Sequence, residues 1–157
     1  MRHAKSDWTT GVSDFNRPIN EQGINDLQTI ANHFITLDIK PDLLISSPAK
    51  RTQITSTLLA DSINYPASKI RYESSIYEGS PSDLVKIIEC IENENATVLI
   101  VGHNPTFTFL IDYYSGSSIG NLPTSAMAVI SFNIDEWKAV SFNSGTLENY
   151  IYPKKFR

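Results

Sequence analysis

The sequence predicts an α/β protein: a three-layer sandwich with a central, mostly parallel sheet flanked by helices. Two observations carry this. Short, apolar, β-branched runs alternate with longer amphipathic ones over most of the chain, and no internal repeat or low-complexity stretch interrupts them. The length of 157 residues fits one ordinary domain spanning 1–157, large enough to bury about 70% of the surface its unfolded form exposes.

The elements follow in chain order. Glu21 to Phe34 places Ile24, Leu27, Ile30, Ala31 and Phe34 on one helical face, with Asn20 as N-cap. Asp42 to Ser47 reads as a buried strand. Ala49 to Ile63 carries Ile54, Leu58 and Leu59 at helical spacing, and Pro48 suits the first turn. Ser80-Pro81-Ser82-Asp83 opens a helix that runs to about Glu92 and is broken by Asn93 to Asn95. Thr97 to Val101 is apolar in the manner of a strand covered on both faces. A helix from Thr106 to Tyr113 and a loop from Ser115 to Gly120 come next. Ser125 to Asn133 and Lys138 to Phe142 read as two edge strands joined around Asp135-Glu136-Trp137.

Composition narrows the partners. With 13 Lys+Arg against 17 Asp+Glu and a net charge of −4, the chain lacks the cationic face that nucleic-acid phosphates require. Its apolar runs are too short to span a bilayer, and the charged N-terminus lacks a signal peptide's apolar stretch, so no membrane partner and a cytoplasmic location are expected. The lone Cys90 excludes an internal disulfide, and no two histidines have the i, i+4 spacing of a helical metal site, so neither metal nor cofactor is expected. His33 reads as a surface residue. Trp8, Tyr65, Tyr113 and Tyr114 are candidates for a substrate mouth, although aromatics in such domains are usually core. Lys154, Lys155 and Arg157 form a solvated basic tail.

In sheets of this kind, ligands bind beyond the carboxyl ends of the strands. That rule selects Arg2-His3-Ala4, Ser46-Ser47-Pro48-Ala49-Lys50-Arg51-Thr52 and Gly102-His103-Asn104-Pro105. Together with Arg17-Pro18 and the downstream Gly23, these segments resemble the histidine phosphatase superfamily, and most of all its SixA-like, phosphohistidine phosphatase branch. The resemblance runs in order along essentially the whole chain. It implies a phosphoglycerate mutase-like fold and a metal-independent hydrolase that works through a phosphohistidine intermediate.

The resemblance puts His3 in the role of nucleophile, since a neutral imidazole can attack phosphorus in line and later be released by water. Arg2 and Arg51 match its phosphate-binding arginines, whose planar guanidinium groups offer several donors to phosphoryl oxygens. His103 matches its second histidine, expected to donate to the same group, so the two histidines must differ in protonation. Neighbouring arginines favour neutral His3 by like-charge repulsion. Arg17 is either a further phosphate ligand or a surface arginine paired with Asp14. Lys5 and Ser6 read as solvated loop residues, while Asn104 and Pro105 shape the turn that presents His103.

A general acid for the leaving group is the open position. Glu78 is the candidate, Glu73 a poorer one, and the alternative for Glu78 is an acid that stabilises a helix N-terminus. SixA-like relatives lack a clear acid, which a phosphoramidate tolerates because protonated imidazole leaves readily. The expected substrate is therefore a phosphorylated molecule, with a phosphohistidine-bearing protein preferred. The alternatives are a small phosphomonoester, or phosphate binding without turnover. Only Met1 precedes Arg2, whereas a strand usually needs about five residues; either a few apolar residues of the first strand are missing upstream, which is the expectation, or the strand is a stub with a costly buried amine at its start.

Overall fold

The computed structural model describes residues 1–157 and contains five α-helices and five β-strands, besides short 3-10 turns. In order these are α1 (Glu21–Thr36), β1 (Leu43–Ser46), α2 (Lys50–Ser62), β2 (Arg71–Tyr72), α3 (Ser74–Glu78), α4 (Pro81–Glu89), β3 (Val98–Val101), α5 (Thr106–Ser115), β4 (Met127–Phe132) and β5 (Gly145–Ile151). β2, β1 and β3 form a parallel sheet in that order, with Leu43 opposite Val98 and Ser46 opposite both Val101 and Tyr72. β4 and β5 form an antiparallel hairpin with a register shift between Val129 and Ile130. The predicted α/β class and its parallel sheet are what the chain adopts.

Alternation along the strands builds the layers, because successive side chains leave opposite faces. Leu44, Leu99 and Val101 join one core with Leu27, Ile30 and Phe34 of α1 and Leu59 of α2. Ile45 joins the other, with Leu84 and Ile88 of α4 and Phe107 and Leu110 of α5. Each such buried side chain contributes roughly 1.5–3 kcal/mol, against about 1 kcal/mol net for a hydrogen bond. Side-chain burial on both faces, more than the short ladders, therefore fixes the sheet between its helices.

Capping follows the sequence closely. Asn20 accepts a hydrogen bond from Gly23 N at 2.8 Å, and Ser80 and Asp83 make a capping box at α4. Several details differ from expectation. Ile24 and Leu58 are exposed, whereas Gly23 and Asp26 of α1, and Thr52, Thr55 and Ser56 of α2, face inward. Pro48 precedes Ala49, the N-cap of α2, instead of lying in its first turn. Lys138 to Phe142 is not a strand: Trp137–Ala139 is a 3-10 turn, and β4 pairs instead with β5, whose alternating polar residues hide it in the sequence. β2 and α3 have no clear signal at their lengths.

At the chain start, Arg2 bridges Gly102 in parallel, and Arg2 N donates to Ala126 O at 3.0 Å. A short extended piece thus lies between the end of β3 and the beginning of β4. The Met1 amino group donates to Ile100 O at 2.8 Å, and burial pushes its pKa down to about 5. At the amino ends of the strands, away from the segments that bear the phosphatase-like motifs, β3 and β4 flank a cavity of about 540 Å³ lined by Val98, Leu99, Ala128 and Ile130. The terminal basic residues are not all free in solvent, since Arg157 pairs with Asp26 of α1. His33 is half-buried against the Phe156 ring at 4.5 Å. No helix is long and apolar enough to cross a membrane.

Candidate active site

Three chain segments that leave the carboxyl ends of parallel strands converge, as the topology of such sheets dictates. The first carries Arg2 and His3 beside Gly102, the second leads from β1 through Ser47 into α2 with Arg51, and the third leads from β3 to His103. The close approach of the third to α3 and α5 needs glycine: a Cβ on Gly102 would lie 2.5 Å from the Phe107 ring and 2.8 Å from Ile76. Asn104 then fastens the turn, donating to Leu122 O at 3.0 Å and accepting from Thr108 N at 3.2 Å.

His3 is 7% exposed, and its Nδ1 lies 2.7 Å from Ala4 O. A carbonyl can only accept, so Nδ1 carries the proton and Nε2 presents its lone pair. Arg51 Nε donates to that nitrogen at 3.3 Å. The rings of His3 and His103 are 5.2 Å apart. Arg51 Nη2 lies 3.4 Å from His103 Nδ1, and His103 Nε2 lies 2.7 Å from Ser47 Oγ. Because the guanidinium can only donate, His103 Nδ1 is the acceptor and its Nε2–H points to Ser47. Ser47 is fully buried and also accepts from Ala49 N at 3.2 Å.

Electrostatics keep both rings neutral. Burial lowers the pKa of His3 to about 4, with smaller contributions from Arg51, Arg2 and Arg17, and a counteracting hydrogen bond to Ala4. Burial likewise lowers that of His103 to about 3, followed by His3 and Arg51. Arginine repulsion therefore acts in the direction expected but ranks behind desolvation, and the histidines do not differ in charge near neutral pH. Arg2 donates to Leu122 O at 2.8 Å, and its buried Nε has no partner. Burial, then Arg51, lowers the Arg2 pKa.

Arg17 is 7% exposed, so it is not a surface residue. It donates to Ser6 Oγ and, at 2.6 Å, to Asp14 Oδ1, with its guanidinium 3.6 Å above the Trp8 ring. Ser6 is correspondingly buried, not solvated. Asp14 also accepts from Arg51 Nη2 at 3.1 Å and from Tyr77 OH at 2.8 Å, both through Oδ2. Hydrogen bonding to Arg17, aided by Tyr77 and Arg51, holds the Asp14 carboxyl far below the usual carboxylate range. Trp8 stands at the site, whereas Tyr65, Tyr113 and Tyr114 pack on the cores.

Glu78 ends α3, exposed and without an ion pair, and the acid at the start of α4 is Asp83. Glu73 pairs with Arg71 at 3.3 Å. Sequence reasoning missed Asp14, except as a partner for Arg17, and missed Tyr77 and Ser47 as members of the constellation. Ser47 had a usable signal, lying inside the Ser-Ser-Pro-Ala-x-Arg-Thr run; nothing local marks Tyr77.

The model of the histidine phosphatase superfamily (branch 1) matches residues 1–78. The protein histidine phosphatase SixA complexed with tungstate superposes with a TM-score of 0.85 at 22% identity, covering 100% of this chain and 97% of that one. A candidate phosphohistidine phosphatase SixA from Agrobacterium tumefaciens does so with a TM-score of 0.82 at 27% identity, covering 98% and 95%. An uncharacterised protein of Mycobacterium leprae is 27% identical over 98% of this chain and 100% of its own length. The chain belongs to the histidine phosphatase superfamily, and its likeness to SixA structures supports phosphatase activity. Within it, the chain falls in the SixA-like branch.

Proposed function

We propose that the protein is a metal-independent phosphatase that forms phospho-His3 and acts on phosphohistidine in a protein. The observation that carries this reading is the state of His3: buried, neutral, Nδ1–H tied to Ala4 O, and Nε2 unprotonated, its lone pair met only by a 3.3 Å hydrogen bond from Arg51 Nε. In the first step His3 Nε2 forms a bond to phosphorus while the substrate's P–N bond breaks. The departing imidazole enters protonated on its far nitrogen and leaves neutral. In the second step water bonds to phosphorus, the bond to His3 Nε2 breaks, and the hydrogens of the water remain with the phosphate.

Arg2, Arg51 and His103 supply the donors for the charged phosphoryl oxygens, with Arg17 behind Asp14. A bound dianion raises the pKa of an adjacent imidazole, which lets His103 take a proton when the substrate is present. Binding of a tetrahedral oxyanion has precedent in the SixA structure that holds tungstate. The site's own carboxylate supports a phosphoramidate over an ester. Asp14 is held ionised and Glu78 stands exposed, so neither is set to protonate an alkoxide. Protonated imidazole needs no such help.

The test compares a phosphohistidine-bearing carrier protein with a panel of small phosphate esters, with chelator present, for wild type and His3→Ala. Wild type is expected to prefer the carrier and to acquire an acid-labile, base-stable phosphoryl label. His3→Ala should lose turnover by at least about 10³-fold and show no label. A requirement for added metal, or activity that survives in His3→Ala, overturns the mechanism. Preference for a small ester overturns the substrate.

A further inference from the structure

We infer that Asp14 is a resident anion in the phosphoryl site: its carboxylate occupies the donors of Arg17 and Arg51, and a substrate must displace it. The inference rests on the phosphatase reading and adds a residue that determines which phosphorylated molecules are accepted.

The geometry is that of an internal competitor. Arg51 directs Nη1 to the main-chain carbonyl of Asp14 at 2.8 Å and Nη2 to Asp14 Oδ2 at 3.1 Å, with Nη2 also 3.4 Å from His103 Nδ1 and Nε on His3. Arg17 spends Nη2 on Asp14 Oδ1 and Nη1 on Ser6. Each guanidinium thus gives one Nη2–H to the carboxylate, Arg17 to Oδ1 and Arg51 to Oδ2, so that one anion bridges two arginines as a phosphoryl group would. These arginines are almost fully buried, whereas the Asp14 side chain is 51% exposed. The buried partners are fixed and the exposed one is free to leave.

The segment that carries Asp14 has no anchor of its own in the core. Its 3-10 turn, Asp14–Asn16, contains no buried residue, and Gly11 shortly before it has a φ of +67°. Beyond the arginines, the turn is held from α3 by Tyr77, through the hydroxyl on Asp14 and an edge contact to the Phe15 ring at 5.1 Å. Displacing Asp14 costs these contacts. Free orthophosphate repays them with the phosphoryl contacts alone, whereas a larger substrate adds contacts of its own. Asp14 therefore weakens the grip on the product anion more than the grip on a protein-borne phosphoryl group.

Calorimetric titration with orthophosphate and with tungstate tests this without reliance on turnover. Asp14→Asn should bind both anions at least about tenfold more tightly than wild type. Tyr77→Phe, which removes only the hydroxyl tether, should tighten binding by a few fold. Kinetically, Asp14→Asn should show a lower inhibition constant for orthophosphate. Equal or weaker anion binding by both variants, with wild type binding normally, overturns the role of Asp14 and leaves the phosphatase reading standing. Failure of every form to bind either anion overturns both.

Discussion

Ser47 shows how a residue that never meets the substrate can govern the chemistry. Its hydroxyl sits 2.7 Å from His103 Nε2 and fixes the ring so that Nδ1 faces Arg51. Ser47→Ala removes that restraint and leaves Ala49 N without its acceptor. The expected outcome is a fall in kcat on the order of 10-fold to 10²-fold with KM little changed, because misorientation penalises the transition state more than binding. Steady-state kinetics on a chain whose melting shows it folded would check this, and an unchanged kcat would remove Ser47 from the mechanism. His3, Arg51 and His103 were legible because each sits in a short run at the end of a strand. Asp14 and Tyr77 were not, because their meeting at 2.8 Å joins residues far apart in the chain and depends on how α3 is set against the loop.

The elements show the same division between local and long-range information. Asn20 and the Ser80 box are written in adjacent residues, and both caps form as read. The inner face of α2 was harder to see, because Thr52, Thr55 and Ser56 are buried with their hydroxyls bonded to carbonyls of their own helix, so apolar spacing mistakes its orientation. The hairpin was misread because Val140 is buried next to polar residues in a turn, which imitates strand alternation. Gly23 has a cause visible only in three dimensions: a Cβ there would stand 2.3 Å from Lys5 O. The first turn of α1 thereby rests directly on the backbone beyond His3. Gly23→Ala should force the two apart, lowering stability by about 1–3 kcal/mol despite the better helix propensity of alanine. It should also reduce activity by disturbing the Arg2-His3 segment. Chemical denaturation read alongside turnover would test the contact; a more stable, fully active variant would show that α1 does not need it.

At the scale of the whole molecule, the active site makes folding sensitive to acid. The folded chain holds His3 near 4 and His103 near 3, against an ordinary value of 6.5, and holds the Met1 amino group near 5 against 8.0. In each case the folded pKa lies below the unfolded one, so between the two values the unfolded chain binds more protons and stability rises with pH. Stability is therefore greatest above about pH 8, and the amine weakens it first as pH drops. The histidines add their effect below 6.5, each with a slope of about 1.4 kcal/mol per pH unit. Asp14, whose contribution is present above 3.8 and lost in stronger acid, acts only at the far end of this range. Melting temperatures recorded from pH 8.5 to 4 should decline throughout and steepen below 6.5. In His103→Gln the steeper portion should lose the slope of one proton while the decline above 6.5 stays as in wild type. A melting temperature that is level across this range, or an unaltered slope in the variant, would show that the neutral histidines are not maintained by the fold.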